Sequence, residues 1–233
     1  MSTKIIVLNG PKSSGKDMLG DYLAAIFDDV VVKSFKSELL EDTIEHFGVS
    51  PEWFYAVYDN RVSKEQPLVE LGGKSPREAL IYVSEDIKKP LYGNQYYGDS
   101  LVGSIDRGFI NVITDGGVAN FTDTVNKTGE HWAEIIPIVE EFGEDNILII
   151  QLMRDNCSFE GDSRRYFGQC NMTPRIIGSP CKFSDENLPF NTPVLSTEVL
   201  DIDCVEVHNN GSIDTLLAQV ESIIEDFKIG VLT

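Results

Sequence analysis

The sequence predicts an α/β fold in which a five-stranded, mainly parallel sheet carries helices on both faces. Three observations lead there. Short Ile- and Val-rich runs recur without the two-residue alternation of a half-exposed strand, as strands buried on both faces require. Between them lie segments with apolar residues three and four apart, the spacing of helices that cover a sheet. The composition, 42% hydrophobic and 24% charged over 233 residues with 19 Gly and 10 Pro, excludes collagen-like, disordered and low-complexity chains.

Taken in order, Lys4 to Leu8 (KIIVL) reads as the first strand, and Lys16 to about Phe27 as a helix with Leu19, Leu23, Ile26 and Phe27 on one face. Val30 to Val32 is a short second strand. A long, mostly helical excursion then runs from Phe35 to Arg107. Within it Pro76, favoured in a first helical turn, opens a helix carrying Leu80, Val83 and Ile87. The aromatic stretch Trp53, Phe54, Tyr55 and Tyr58 has helical spacing, which suits core packing and also offers rings on which a base could stack. Phe109 to Ile113, Ile147 to Leu152 and Cys204 to Val207 complete the strands. Asp155 to Thr197, rich in Ser, Asn, Pro and Gly, reads as an extended loop or small lid. Ser212 can cap a last helix whose stripe is Ile213, Leu216, Leu217, Val220, Ile223, Ile224 and Phe227. The expectation is one domain, 1–233, with excursions over 35–107 and 155–197; long connections of this kind carry function more than fold.

Charge narrows the function. Nineteen basic against 38 acidic side chains give −19, which repels a polyphosphate backbone and excludes nucleic-acid binding through a broad basic face. A local basic pocket for one small anion stays compatible. The opening MSTKIIVLN holds an apolar run too short for a signal peptide, and no stretch approaches the roughly eighteen apolar residues of a spanning helix. Cys157, Cys170, Cys181 and Cys204 form no CxxC pair and read as free thiols. A soluble cytoplasmic protein without a membrane or nucleic-acid partner is expected.

The first strand runs directly into Gly10-Pro11-Lys12-Ser13-Ser14-Gly15-Lys16-Asp17 and then a helix. This is GxxxxGK in the strand–loop–helix setting of a phosphate-binding loop (P-loop), and it predicts the three-layer P-loop NTPase architecture. Glycines let several N–H groups converge on one anion, the helix N-terminus adds partial positive charge, and Lys16 can reach the β- and γ-phosphates of a nucleoside triphosphate. Asp17 stands where Ser or Thr usually holds Mg²⁺; its carboxylate can serve a cation or simply complement the helix dipole. Asp115, closing the third strand before Gly116-Gly117, is either a metal-binding or catalytic carboxylate at the sheet's crevice or an ordinary turn residue. Arg77, Arg154 and the pair Arg164-Arg165 fall in the two excursions and at a strand end, and guanidinium groups suit multidentate phosphate recognition.

Those features in that order resemble a known family. GPKSSGKD, Ser34-Phe35-Lys36 after the second strand, the SPREAL helix, Asp115, Arg154, the DSRRYF segment and the terminal HNNGSIDTLLAQVESII are similar to the deoxynucleoside monophosphate kinases of tailed bacteriophages. The resemblance implies a nucleoside-monophosphate-kinase-like fold, with a helical acceptor-binding insertion and a lid, that moves the γ-phosphate of ATP to a deoxynucleoside monophosphate with Mg²⁺. It also implies the cytoplasm of a phage host as the setting. By position, Gly10, Lys12, Ser13, Ser14, Gly15 and Lys16 would surround the ATP phosphates, Asp17 and Asp115 would hold the metal, and Arg154, Asn209 and Gly211 would serve the donor nucleotide. Phe35, Lys36 and Arg77 would hold the acceptor, while Arg164 and Arg165 would close over the transferring group beside Lys16 and Asp115. A homodimer is left open. Two other readings stay in play: a P-loop kinase of another small acceptor, such as a dephospho-coenzyme A-like compound or a sugar acid, and a nucleotide-binding module without turnover.

Overall fold

The computed structural model describes residues 2–115, 134–157, 175–177 and 202–230. Six strands form one sheet: β1 (Lys4–Asn9), β2 (Val30–Lys33), β3 (Ile110–Ile113), β4 (Ile147–Met153), β5 (Arg175–Ile177) and β6 (Asp203–His208), in the spatial order β2-β3-β1-β4-β6-β5. Every pairing is parallel. The five anticipated strands are all present. The short β5 joins one edge from within the stretch read as a loop; three residues are too few to show a pattern in sequence.

The strand order decides which face each helix covers. From β1 the chain moves toward β2 through α1 (Lys16–Ile26), and from β3 it returns across β1 to β4 through α7 (Ile136–Phe142). Right-handed crossovers in opposite directions lie on opposite faces. Accordingly Leu19 and Leu23 of α1 pack with Ile6, Leu8 and Val112 on one face, where α8 (Ile213–Ile229) adds Leu216, Val220, Ile224 and Phe227. On the other face Ile138 of α7 and Leu101 of α6 (Tyr96–Ser104) cover Ile5, Val7 and Ile149. Alternate residues of β1 thus belong to two different cores, which is why its run KIIVL shows no alternation.

Between β2 and β3 the chain builds α2 (Lys36–Phe47), α3 (Pro51–Asp59), α4 (Pro76–Ile81), α5 (Lys89–Tyr92) and α6. They have a small core of their own, with Phe54, Leu71, Ala79 and Leu80 buried against Leu39, Leu40 and Ile44. Phe54 is fully buried while Tyr55 is 39% exposed, so the aromatic stretch divides between core and surface. Local rules fix the helix starts. Ser50 caps α3 by accepting from Trp53 N, and Ser75 and Glu78 form a reciprocal capping box ahead of Pro76. The periodic pattern through Val83 and Ile87 predicts one helix. The chain instead passes at Tyr82 into a π-helical stretch, Tyr82–Lys88, which shifts the later side chains around the axis. Among the described residues no helix is long and apolar enough to cross a membrane.

Helix α6 offers an internal control on close packing. A Cβ on Gly98 would lie 2.3 Å from the Glu134 carbonyl oxygen, whereas one on Gly103 meets nothing within 4 Å. Gly98→Ala is expected to destabilise by about 2 kcal/mol because backbone must move. Gly103→Ala should gain roughly 0.5–1 kcal/mol from helix propensity. Urea unfolding of both variants checks the opposite signs.

Candidate active site

All strands point the same way, so their carboxyl ends open at one edge of the sheet, where parallel α/β proteins bind ligands. Register aligns Val7, Ile113 and Lys33 at one level, and Asn9 with Gln151 and Met153 with His208 further along. The next residues out are the sequence-predicted ones: Gly10 after β1, Ser34 to Lys36 after β2, Asp115 after β3, Arg154 after β4 and Asn209 after β6.

The loop after β1 is curled tightly. Gly10, Ser13 and Gly15 have φ of 155°, 68° and 102°. At Gly10 a Cβ would come 2.4 Å from the Leu152 carbonyl oxygen, so only glycine fits. Ser13 adopts the left-handed conformation without being glycine, a strained state that rigid surroundings must hold. Helix α1 starts at Lys16 with Gly15 as its N-cap and no side-chain capping bond, which leaves its first-turn amides suited to an anion. The buried Lys16 ammonium donates to Gly10 O at 2.7 Å, Pro11 O at 2.9 Å and Ser14 Oγ at 3.4 Å, so the loop's own oxygens fix the charge at its mouth.

Two of the predicted donor-site residues are tied to this loop. Asn209 Nδ2 donates to Ser14 O at 2.9 Å, and Arg154 lies with Nη1 3.5 Å from Ser13 O. Asp155 N donates to Asn210 Oδ1 at 2.7 Å, joining the ends of β4 and β6. Between them lies a cleft of about 240 Å³ lined by Arg154, Asp155, Asn156, Asn209, Asn210 and Gly211. Lys12, Ser13 and Asp17 are exposed on the loop and first turn.

Asp115 has a structural role that its place in the sequence does not announce. Its buried carboxylate accepts from Phe35 N at 2.9 Å, Lys36 N at 3.0 Å and the Ser34 hydroxyl, with Lys36 Nζ 3.6 Å away. The end of β3 is thereby fastened to the start of α2, and Phe35 is buried there while Lys36 is half-exposed. Arg77, in the first turn of α4, donates from Nε to Glu65 Oε1 at 2.8 Å. Lys36, Arg77 and Asp115 all act electrostatically on the Tyr58 phenol, whose pKa burial raises. Arg164, Arg165, Cys170 and Cys181 lie outside the described residues, as does most of 155–197; Cys157 and the buried Cys204 are free thiols, and burial pushes the Cys204 thiol up to about 12. Among the described residues no cluster of three or more His, Cys, Asp or Glu side chains could hold a metal by itself.

Sequence reasoning missed Glu134, just before α7. Its carboxyl is pushed up to about 7 chiefly by burial, with Lys89 opposing and Asp115 and Glu85 adding. Lys89 Nζ stands 3.7 Å from Glu134 Oε1 and 2.7 Å from Glu85 Oε1. No motif marks a lone Glu; its burial and the charges of Lys89, Asp115 and Glu85 set it apart.

No protein-family model matches the sequence, and no curated protein does. Among solved structures, a sugar kinase from Janibacter sp. HTCC2649 aligns with 96% of this chain and 95% of its own at 12% identity and a TM-score of 0.36. Thymidylate kinase from Ehrlichia chaffeensis aligns with 97% of this chain and 99% of its own at 12% identity and a TM-score of 0.35. Likeness this slight says nothing of substrate or reaction, which the geometry of the site has to supply.

Because the folded pKa of Glu134 lies above its ordinary 4.5, the native state holds a proton that the unfolded chain has lost between those values. The associated stability is full at low pH and fades as pH rises through about 7. Glu134→Gln should match wild type near pH 4 and exceed it by about 2 kcal/mol near pH 8. Urea titrations across that range measure it.

Proposed function

We propose that this chain is an ATP-dependent phosphotransferase whose acceptor is a deoxynucleoside 5′-monophosphate. One observation carries the reading: a loop of P-loop shape, with a buried lysine held at its mouth, opens at the same sheet edge as the half-exposed Lys36 that follows β2. A loop for the donor's phosphates opposite cations for a second anion is the arrangement phosphoryl transfer needs, since alignment and charge neutralisation supply most of the catalysis.

In this reading the amides from Gly10 to Lys16, with Lys12, Ser13 and Ser14, surround the triphosphate, and Lys16 exchanges its loop carbonyls for the β- and γ-phosphate oxygens. Arg154, Asn209 and Gly211 border the donor's base and sugar in the cleft beside the loop. Phe35, Lys36 and Arg77 seat the acceptor so that its phosphate oxygen attacks the γ-phosphorus as the bond to the β–γ bridging oxygen breaks, and ADP leaves. Arg164 and Arg165 are assigned to close over the transferring group.

Mg²⁺ bound by nucleotide phosphates needs only one or two carboxylates, and Asp17 is exposed beside Lys16. Asp115 Oδ1 accepts from Phe35 N and retains a lone pair for an ion or its water. In this reading Asp17 and Asp115 would hold the ion, directly or through water, and the cation would neutralise charge building on the phosphate oxygens. ATP and the monophosphate are the proposed partners, with neither nucleic acid nor membrane.

A coupled ADP-release assay over the four deoxynucleoside monophosphates, dephospho-coenzyme A and a sugar acid should show turnover with at least one deoxynucleotide. Lys16→Met should lower that rate by about a hundredfold or more, through loss of charge on the transferring group. Turnover with the sugar acid alone, or ATP binding with no transfer, would overturn the assignment.

A further inference from the structure

We propose that Asn209 is a positioning residue for the phosphate loop, fixing from β6 the backbone and the lysine that meet the donor's phosphates. The inference rests on the reading of the loop after β1 as the donor's phosphate site. Asn209 follows β6 directly, and its backbone N donates to Met153 O at 2.7 Å, so it continues the β4–β6 ladder beyond the last paired residues, Met153 and His208. Its side chain therefore hangs from the sheet. Nδ2 donates to Ser14 O at 2.9 Å, across 195 residues of sequence. A Cβ on Gly15 would lie 3.1 Å from the same Nδ2, so a side chain there would crowd the amide off its carbonyl. Glycine at this position serves the contact as well as its φ of 102°.

Holding that carbonyl aims two groups. The Ser14 carbonyl and the Gly15 N–H belong to one planar trans peptide, across which they point in opposite directions. With the oxygen held toward Asn209, the Gly15 N–H faces away from it at the N-terminus of α1, where uncapped amides suit an anion. The second group is the Lys16 ammonium. Ser14 is fully buried, its N donates to Pro11 O at 3.2 Å, and its Oγ accepts from Lys16 Nζ at 3.4 Å. Ser14 thus stands between Asn209 and the charge, and a shift of its backbone displaces both. The preceding Ser13 is left-handed at φ 68°, which a non-glycine residue keeps only where its neighbours hold it. The bond to the adjoining Ser14 supplies part of that hold. Donors fixed before the ligand arrives need not reorganise during transfer. Asn209 also lines the cleft beside the loop, so contact with the donor's base is the rival role. The two roles part on a ligand that has no base.

The test is calorimetry on the full chain with tripolyphosphate, the phosphate tail of ATP alone, and with ATP, beside the ADP-release assay. Asn209→Ala is expected to weaken both titrants by the same factor, about tenfold, through loss of one buried hydrogen bond and the alignment it gives. kcat should fall as well, with the acceptor KM unchanged. Asn209→Asp keeps the shape of the side chain but sets an oxygen against Ser14 O, and must show at least the same loss; it serves also if the Ala variant does not fold. Asn210→Ala, in the same cleft but with its carboxamide bonded to Asp155 N, should bind tripolyphosphate as wild type does. Unaltered tripolyphosphate affinity in the Asn209 variants, whether or not ATP is weakened, overturns the inference and leaves the activity standing. Tripolyphosphate binding that depends on Asn209 without transfer to any acceptor upholds the positioning role and overturns the activity. A wild type that binds neither titrant overturns both.

Discussion

A buried carboxylate at the end of β3 fastens the start of the helical excursion to the sheet. Taking a charge out of water costs several kcal/mol unless donors surround it, and Asp115 meets that demand from a single direction. The Ser34 hydroxyl, the Phe35 and Lys36 amides and the Lys36 ammonium all come from the turn between β2 and α2. The carboxylate also occupies the N-terminal end of α2, where the helix dipole favours negative charge. That turn is where the helical excursion leaves the sheet, at the same edge as the loop after β1. Remove the carboxylate and Phe35 and Lys36 lose the acceptor that sets where α2 begins.

The opposite wall is stiffened by backbone rather than charge. Gly10 packs against the Leu152 carbonyl so closely that no side chain fits, Ser13 is held left-handed, and Asn209 and Arg154 reach back to the carbonyls of Ser14 and Ser13. The loop is thus braced from β4 and β6 and is shaped before any ligand arrives. Preorganisation of this kind matters because dipoles already aimed at an anion need not reorganise during reaction. One wall is thus shaped by backbone contacts, and the other begins at a turn tied to Asp115.

How much of this was legible in the sequence depends on the range of the interactions. The GxxxxGK loop, the Ser75–Glu78 cap and the stripe of α8 are local, and neighbours in sequence decide them. The five longer strands showed through their unalternating Ile and Val runs because burial on both faces leaves that mark. The short β5 and the π-helical turn at Tyr82 left none. Asp115 was visible as a carboxylate in the right place, but its partners lie about 80 residues away in sequence, and nothing near it announces them. The same holds for Glu134, whose unusual proton affinity depends on burial and on Lys89, Asp115 and Glu85.

The acidic composition bears on the crevice in a way that the count alone conceals. With 38 carboxylates in the sequence, several cations among the described residues find one: Arg77 pairs with Glu65, Lys88 with Asp42, Lys33 with Asp106 and Arg107 with Glu141. The exposed pairs among them, Arg77–Glu65 and Arg107–Glu141, contribute little to stability and exchange readily. On the proposed reading that weakness is useful: a half-exposed Arg77–Glu65 pair would give up its guanidinium to a phosphate dianion at small cost, because the incoming group carries more charge and more acceptor oxygens than the carboxylate it displaces. The surrounding negative surface meanwhile works against polyanions too large to enter, since Debye screening shortens its reach to about 8 Å but does not abolish it at contact. On that reading, selectivity for a small phosphate ester over a nucleic acid would come from where the few cations are placed rather than from how many there are.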